Sequence, residues 1–377
     1  MFGQSDSGAV KVVGKIFGSD APISLLNAID GNTSGSLYLE QDVITRGTGD
    51  IDANSELSKS GAFTDLTVST SAEVGLGIYA PNQLGNGRAL AKSEANNTKG
   101  NSTSFASAVG GRQDNNSSYA GGNALSTAIA SGIGDGFQVM STASANGSAG
   151  SAPPSGSGGD GGTAVSSASS VANGNSDATV HVTARGGNGG GLNYSPGNGG
   201  AGGVARFGQV FGSSLGGAVK VTGILIGGSG GAGNGVGVGG NGASESAINL
   251  IDGSTTGNLA LDQEAYGGNS GGNPYGTGSA GIAGSGYSEL NKSGAWTQLS
   301  ITTKAGGGDG GYGIIGGNGA AATAKSNAVN TLGGSLSTAI ATAGKGGGDG
   351  TNVGGANSIS GAGGNALAES AANGNGD

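Results

Sequence analysis

The sequence predicts an all-β, elongated solenoid in which short strands alternate with long glycine-rich arches and helix is almost absent. Three observations predict this fold class. Glycine accounts for 89 of the 377 residues, apolar residues recur at every second position in many short runs, and the chain repeats itself after about 209 residues. An apolar residue at every second position is typical of a half-buried strand. Long internal repeats are typical of solenoids.

The composition excludes several other classes of protein. The chain has no Cys, so neither a disulfide framework nor a Cys-based metal site can form. No apolar run approaches the roughly 18 residues of a membrane helix, which argues against membrane insertion. The net charge is -9, but charged residues make up only 10% and no basic run occurs, which disfavours nucleic acid as a partner. Full disorder is the alternative that abundant Gly and Pro support. The regular repeat argues against disorder.

The repeat divides the chain into a first copy, 1–209, and a second, incomplete copy, 210–377. The copies differ mainly by a glycine-rich insert near 227–242, which predicts that such inserts lie on an exposed surface tolerant of change. Because the second copy stops in mid-repeat, we expect this chain to be part of a longer array of repeats. The matched segments are 1–3 with 210–212, 27–31 with 249–253, 55–63 with 288–296, 125–130 with 336–341, and 171–177 with 371–377.

Each copy alternates strand-like runs with two kinds of connection. Runs such as Ala218–Thr222 and Leu299–Thr303 predict strands, and Asp30-Gly31 supplies the positive φ of a tight turn. The longer connections are nearly all glycine, as in 186–191 and 306–311. Such arches could be flexible loops or packed, extended strands of the polyproline II type, and the sequence leaves both open, as it leaves the solenoid right- or left-handed.

No residue pattern predicts catalysis, so the sequence predicts a protein that is not an enzyme and has no catalytic or cofactor-binding residues. The only His, His181, occupies an outward position of an alternating strand. Asp50 and Asp52 are the nearest pair of carboxylates, but a surface turn explains them better because the second copy has glycine-rich sequence there.

Calcium and carbohydrate are the two ligands for which candidate residues exist. Asp160, Asp309 and Asp349 each lie in a glycine run, as the Asp of the calcium-binding β-roll motif Gly-Gly-x-Gly-x-Asp does. Here, however, the Asp directly follows the glycine pair, the apolar position of the motif is missing, and the nine-residue tandem spacing is absent. We therefore interpret these Asp residues as turn formers and predict no metal site. Phe63 and Trp296 are equivalent in the two copies. They could stack on a sugar, but a buried anchor at the edge of a coil is the favoured interpretation.

The motif Ile-Asp-Gly-x-Thr-x-Gly-x-Leu-x-Leu occurs at Ile29–Leu39 and Ile251–Leu261. With the Ala-alternating strands and Gly-Gly-Asn-Gly boundaries, it resembles large glycine-rich bacterial surface proteins such as adhesins and autotransporter passengers. The resemblance implies an exported, structural or adhesive protein, extracellular or on the cell surface, with surface glycans as possible partners. It implies no catalytic residue. The alternatives are a ligand-binding module for calcium, glycan or ice and a β-helix polysaccharide enzyme.

The last expectation concerns self-association. The first strand, around Ala9–Val12, and the last, around Ala366–Ser370, both have the pattern of interior strands without a polar cap. We therefore expect filaments, formed either by end-to-end association of this chain or by consecutive repeats of one longer polypeptide.

Overall fold

The structure is a computed structural model that describes residues 1–19, 21–46, 51–75, 87–111, 118–192, 195–274, 276–348 and 359–375. Within these residues the chain forms β-strands and no helix. The strands stack in parallel as a solenoid, which confirms the predicted all-β solenoid fold.

The strands are short, and most have eight to eleven residues, so each crosses the solenoid once. In chain order they are β1 (Phe2–Gln4), β2 (Val10–Ser19), β3 (Ile23–Leu26), β4 (Asp30–Asn32), β5 (Ser36–Arg46), β6 (Ala53–Gly61), β7 (Asp65–Gly75), β8 (Ala89–Asn97), β9 (Asn101–Val109), β10 (Ala124–Ile133), β11 (Gln138–Asn146), β12 (Ala164–Asn173), β13 (Asp177–Arg185), β14 (Ala205–Ser214), β15 (Val219–Ile226), β16 (Glu245–Ile248), β17 (Asp252–Ser254), β18 (Asn258–Tyr266), β19 (Gly286–Gly294), β20 (Gln298–Gly306), β21 (Ala322–Asn330), β22 (Gly334–Thr342) and β23 (Ala366–Gly374).

Two parallel faces run along the solenoid, and the chain alternates between them. The first face is one ten-stranded sheet in the order β2-β5-β7-β9-β11-β13-β15-β18-β20-β22. The second face is divided into a seven-stranded sheet, β17-β14-β12-β10-β8-β6-β3, a four-stranded sheet, β16-β19-β21-β23, and the short pair β1-β4. Because every coil adds one strand to each face, the backbone of each coil is hydrogen-bonded to the next.

Small side chains fill the space between the two faces. Along β12 the buried positions alternate with half-buried ones, and the buried set is Ala164, Ser166, Ala168, Ser170 and Ala172. The neighbouring strand is in register, so Ala128 stacks on Ala168. Side chains of this size bury little apolar area, so the backbone ladders carry a large share of the order in this part of the core.

The glycine-rich arches are hydrogen-bonded layers that continue both faces. In the arch 186–192, Gly186 and Gly189 donate to the next coil, whereas Gly187 and Gly190 donate to the opposite arch. The direction of donation therefore repeats every three residues, as in a polyproline II helix. Of the two conformations left open by the sequence, the structure has the packed, extended one. The prediction that the insert 227–242 lies on an exposed surface tolerant of change is therefore wrong, because Gly228, Gly231 and Gly240 are buried against the backbone of other coils.

Close contact between backbones explains why these positions are glycine. A Cβ on Gly187 would lie against the carbonyl carbon and oxygen of Ser148, and one on Gly190 would meet the same atoms of Ser151. The third position of each triplet faces outward, and there the chain carries side chains such as the exposed Asn188. Opposite layers thus meet through side chains in the strand half of a coil and through backbone hydrogen bonds in the arch half.

The two sequence copies belong to one continuous stack. Strand β14 runs across the boundary between 1–209 and 210–377. One matched segment is not equivalent in space, because Leu125 lies in β10 on the second face and Leu336 lies in β22 on the first. The identity of 125–130 and 336–341 therefore reflects a shared strand pattern and not a shared place in the repeat.

Candidate functional site: the kinked coils and the seam cleft

Two coils interrupt the regular stack, and both are kinked at an Asn. The tight turn with positive φ predicted at Asp30-Gly31 is wrong, because both residues lie in strand β4 and the positive φ of this coil is at Asn27. Asn27 and Asn249 are the non-glycine residues with positive φ in the described part of the chain, at 47° and 49°. Asn tolerates this left-handed conformation better than other residues with a Cβ. At each kink the strand changes partner. Strand β3 pairs forward with β6 and β4 pairs back with β1, and in the second copy β16 pairs with β19 and β17 with β14.

After the kink the strand no longer pairs with the next coil, which leaves a gap between the two coils. The Asn side chain bridges this gap. Oδ1 of Asn27 accepts the backbone N–H of Ser58 at 2.8 Å, and Oδ1 of Asn249 accepts that of Asn291 at 2.7 Å. Lys59 adds an ion pair to Asp30 at 2.6 Å across the first gap. In the second copy the same gap is crossed by the ion pair of Lys292 with Asp252.

A fully buried Gln supports each kink from inside. Gln41 accepts the N–H of Ala28 at 2.9 Å and donates to the carbonyl of Glu56 at 3.0 Å. Gln263 makes the equivalent bonds to Leu250 at 2.8 Å and Glu289 at 2.9 Å. A long amide can reach groups on both sides of a broken ladder, which satisfies backbone atoms that the kink would leave unpaired. The sequence repeat included both Gln residues but gave no indication of this role.

Phe63 and Trp296 are buried anchors, with 3% and 6% of their surface exposed. Their rings lie against the Cα atoms of Gly61 and Gly294, where a Cβ would clash. The backbone of Phe63 is held by two hydrogen bonds to the Asn97 amide, both 3.0 Å, and Asn330 holds Trp296 in the same way. Burial leaves neither ring a free face for stacking on a sugar.

A cleft opens beside the second kink, between β14 and β16, and we call it the seam cleft. It has a volume of about 400 Å³, with Ala205, Arg206 and Phe207 on one wall and Glu245 and Ser246 on the other. Leu225 of the opposite face also lines it. The cleft exists because β16 pairs only with β19, so the second face is divided at this point.

Glu245 is the buried acid of the seam cleft, with 4% of its surface exposed. Its Oε1 accepts the backbone N–H of Ala205 at 2.8 Å. Burial raises the pKa of Glu245 to about 7, against the opposing effects of this hydrogen bond and of the Arg206 charge. Sequence reasoning missed Glu245. The sequence did contain a signal for it: Glu245 is a carboxylate at an inward position of a strand, and the equivalent residue of the first copy is the apolar Ile23.

The Asp residues considered for calcium bind backbone N–H groups. Oδ1 of Asp160 accepts the N–H of Ala201 at 2.8 Å, and Oδ1 of Asp309 accepts that of Lys345 at 2.7 Å. Asn residues at equivalent outward positions make the same bond, as Asn188 does to Ser229. Asp349 lies outside the described residues. Within the described ranges, no group of three or more His, Asp or Glu residues could hold a metal ion.

The residues considered for catalysis are not brought together. His181 lies on the outer surface of β13, and its Nε2 is 3.4 Å from the hydroxyl of Thr183. Asp52 accepts the N–H of Arg88 at 2.7 Å and so bridges two coils. Asp50 lies outside the described residues.

Comparisons with known proteins identify no relative. No family model matches the chain, and neither a curated protein nor a solved structure shows a significant match. In the described part of the chain, no helix is long and apolar enough to cross a membrane.

Proposed function

We propose that the protein is a structural or adhesive segment of an extracellular fibre, on a bacterial cell surface, and that it is not an enzyme. The observation that supports this proposal most directly is that, among the described residues, each end of the stack has a strand edge without a partner. Strands β2 and β22 are the outer strands of the ten-stranded sheet, and β23 is an outer strand of the four-stranded sheet. Unpaired edges favour pairing with another chain.

The edge formed by β22 and β23 is open and carries little charge. All nine residues of β23 are exposed, which includes the predicted edge Ala366–Ser370. Because the carbonyl of Thr342 bonds back to Gly307, the even-numbered residues of β22 face β20. The backbone groups of Ser337 and Ala339 therefore point to the open edge.

The opposite edge, formed by β2 and β3, exposes large apolar side chains together with Lys11 and Lys15. Val10 and Val12 of the predicted edge Ala9–Val12 are buried, but Phe17 is 64% exposed and Leu26 is 68% exposed. Association of two such edges would bury these side chains and complete both ladders. The burial of apolar area and the formation of ladder hydrogen bonds both make the free energy of association more favourable, which supports end-to-end assembly.

Electron microscopy and light scattering of two matched variants test this proposal. Ala339→Lys places a charge on the inward side of the edge strand, and Thr338→Lys places the same charge on its outer surface. An inward charge at an edge opposes pairing. We expect filaments from the wild type and from Thr338→Lys, and monomers from Ala339→Lys. A wild-type protein that stays monomeric at high concentration would contradict self-assembly.

A ligand-binding module is the second candidate function. The observation that favours it is the seam cleft, whose volume of about 400 Å³ lies within the range of small binding sites.

A further inference from the structure

We propose that the seam cleft binds an extended polypeptide segment, which inserts as one parallel strand between β14 and β16 and places a basic side chain beside Glu245.

The backbone groups that border the cleft have the spacing of a strand site. The N–H of Ala164 bonds to the carbonyl of Val204, so the backbone of Ala205 and Phe207 faces the cleft. On the other wall, the backbone N–H groups of Glu245 and Asn249 donate to carbonyls of the next coil. The backbone N–H and C=O of Ser246 therefore face the cleft. Each wall therefore offers donors and acceptors at every second residue, which is the arrangement that strand addition requires.

The cleft lies between two parallel strand edges, above the opposite face. Its floor includes Leu225 of the opposite face, and its walls are the edges of two sheets that run in the same direction. It closes at both ends, where Gly202 donates to the carbonyl of Asn241 and where Phe211–Ser213 of β14 pair with Asp252–Ser254 of β17. The open stretch spans about four residues, or roughly 13 Å at about 3.3 Å per residue. A segment of that length fits a volume of about 400 Å³.

Glu245 gives the site its side-chain preference. In the free protein its Oε1 accepts the N–H of Ala205, the bond that a carbonyl of an inserted strand would take over. Insertion would therefore release the carboxylate while it stays buried. A basic side chain on the inward side of the inserted strand supplies the opposite charge that a buried carboxylate needs. Arg206 cannot serve in this way because its side chain points outward from β14 and is exposed.

Isothermal titration calorimetry at pH 8 with three synthetic peptides tests the proposal. The peptides are acetyl-Ala-Thr-Lys-Thr-Ala-amide, the same peptide with Leu in place of Lys, and the Lys peptide N-methylated at both Thr residues. We expect one binding site for the Lys peptide and binding about tenfold weaker for the Leu peptide. The N-methylated peptide should not bind, because it keeps the charge but loses backbone donors.

Three variants locate the site. Glu245→Gln keeps an acceptor for Ala205 and should weaken the Lys peptide about tenfold without weakening the Leu peptide. Glu264→Gln is the control variant, because it removes a carboxylate of β18 that does not line the cleft. It should leave the affinities for both peptides unchanged. Ser246→Pro removes an N–H that faces the cleft and pairs with no strand, so the protein should fold and bind neither peptide.

Any of the following results would overturn the proposal. One is no binding of the Lys peptide to the wild type. Another is equal affinity for the N-methylated peptide, which would mean a charge contact without strand insertion. The third is unchanged binding to Ser246→Pro or an equal loss of both peptides in Glu245→Gln. Melting curves of each variant establish that it is folded before titration.

Discussion

The carboxylate of Glu245 takes the place of a backbone carbonyl for the N–H of Ala205, across a distance of 2.8 Å. In regular coils the corresponding N–H bonds to a backbone carbonyl, as that of Ala164 does to Val204. A titratable side chain thus supplies a ladder hydrogen bond at the point where β14 and β16 are not paired. This makes the stability of the seam depend on protonation.

Stability should fall between about pH 4.5 and pH 7 because of Glu245. Its pKa is raised to about 7 in the folded protein, so between the unfolded value near 4.5 and pH 7 the folded state holds a proton that the unfolded state has lost. The free energy of unfolding therefore decreases as pH rises through this window, by up to about 3 kcal/mol. Glu245→Gln should remove this slope. Denaturant titrations of both proteins at several pH values measure it, and parallel pH profiles would contradict the assignment.

Glycine in the packed arches should be indispensable at inward positions. Gly190→Ala would push a Cβ against the carbonyl of Ser151, whereas Gly334→Ala meets nothing within 4 Å. We expect Gly190→Ala to cost about 1–3 kcal/mol and Gly334→Ala to be nearly neutral. Thermal unfolding of the two variants measures the difference. Equal melting temperatures would mean that the arch layers separate easily enough to admit a Cβ.

The kink at Asn249 should depend on both its backbone conformation and its side chain. Asn249→Ala loses the bond to Asn291 and strains a φ of 49°, with an expected cost of about 2 kcal/mol. Asn249→Gly relieves the strain but still loses the bond, so it should cost about 1 kcal/mol. Denaturant unfolding separates the two contributions. An Ala variant as stable as the Gly variant would show that the left-handed conformation is not under strain.

The aromatic anchor should tolerate exchange between the copies. Trp296→Ala empties a buried site and should cost about 3–5 kcal/mol. Trp296→Phe introduces the residue that the first copy has at this place, Phe63, and should cost less than about 1.5 kcal/mol. Lys292 lies 5.8 Å from the Trp296 ring centroid, so part of the smaller cost reflects a weaker cation–π contact. Melting temperatures of both variants test the order, and a Phe variant as unstable as the Ala variant would contradict equivalence.

The strand pattern and the need for glycine follow from the order of the amino acids alone. Alternating apolar residues predict strands such as β15 and β20 because side chains of a strand point to opposite faces. The buried anchor at Phe63 and Trp296 also followed from sequence, since both copies place an aromatic residue after the same Lys-Ser-Gly. These features are local, so neighbouring residues suffice to predict them.

The packing of the arches and the places where the stack is interrupted depend on contacts between distant coils. The arch 186–192 is an ordered layer because its backbone is hydrogen-bonded to residues of other coils. The sequence does not indicate which of these residues are bonded to each other. The kinks at Asn27 and Asn249 and the burial of Glu245 arise where a strand changes its partner. A change of partner depends on the register of coils about 40 residues apart, such as Ala164 with Ala205, and therefore leaves no periodic signal in the chain.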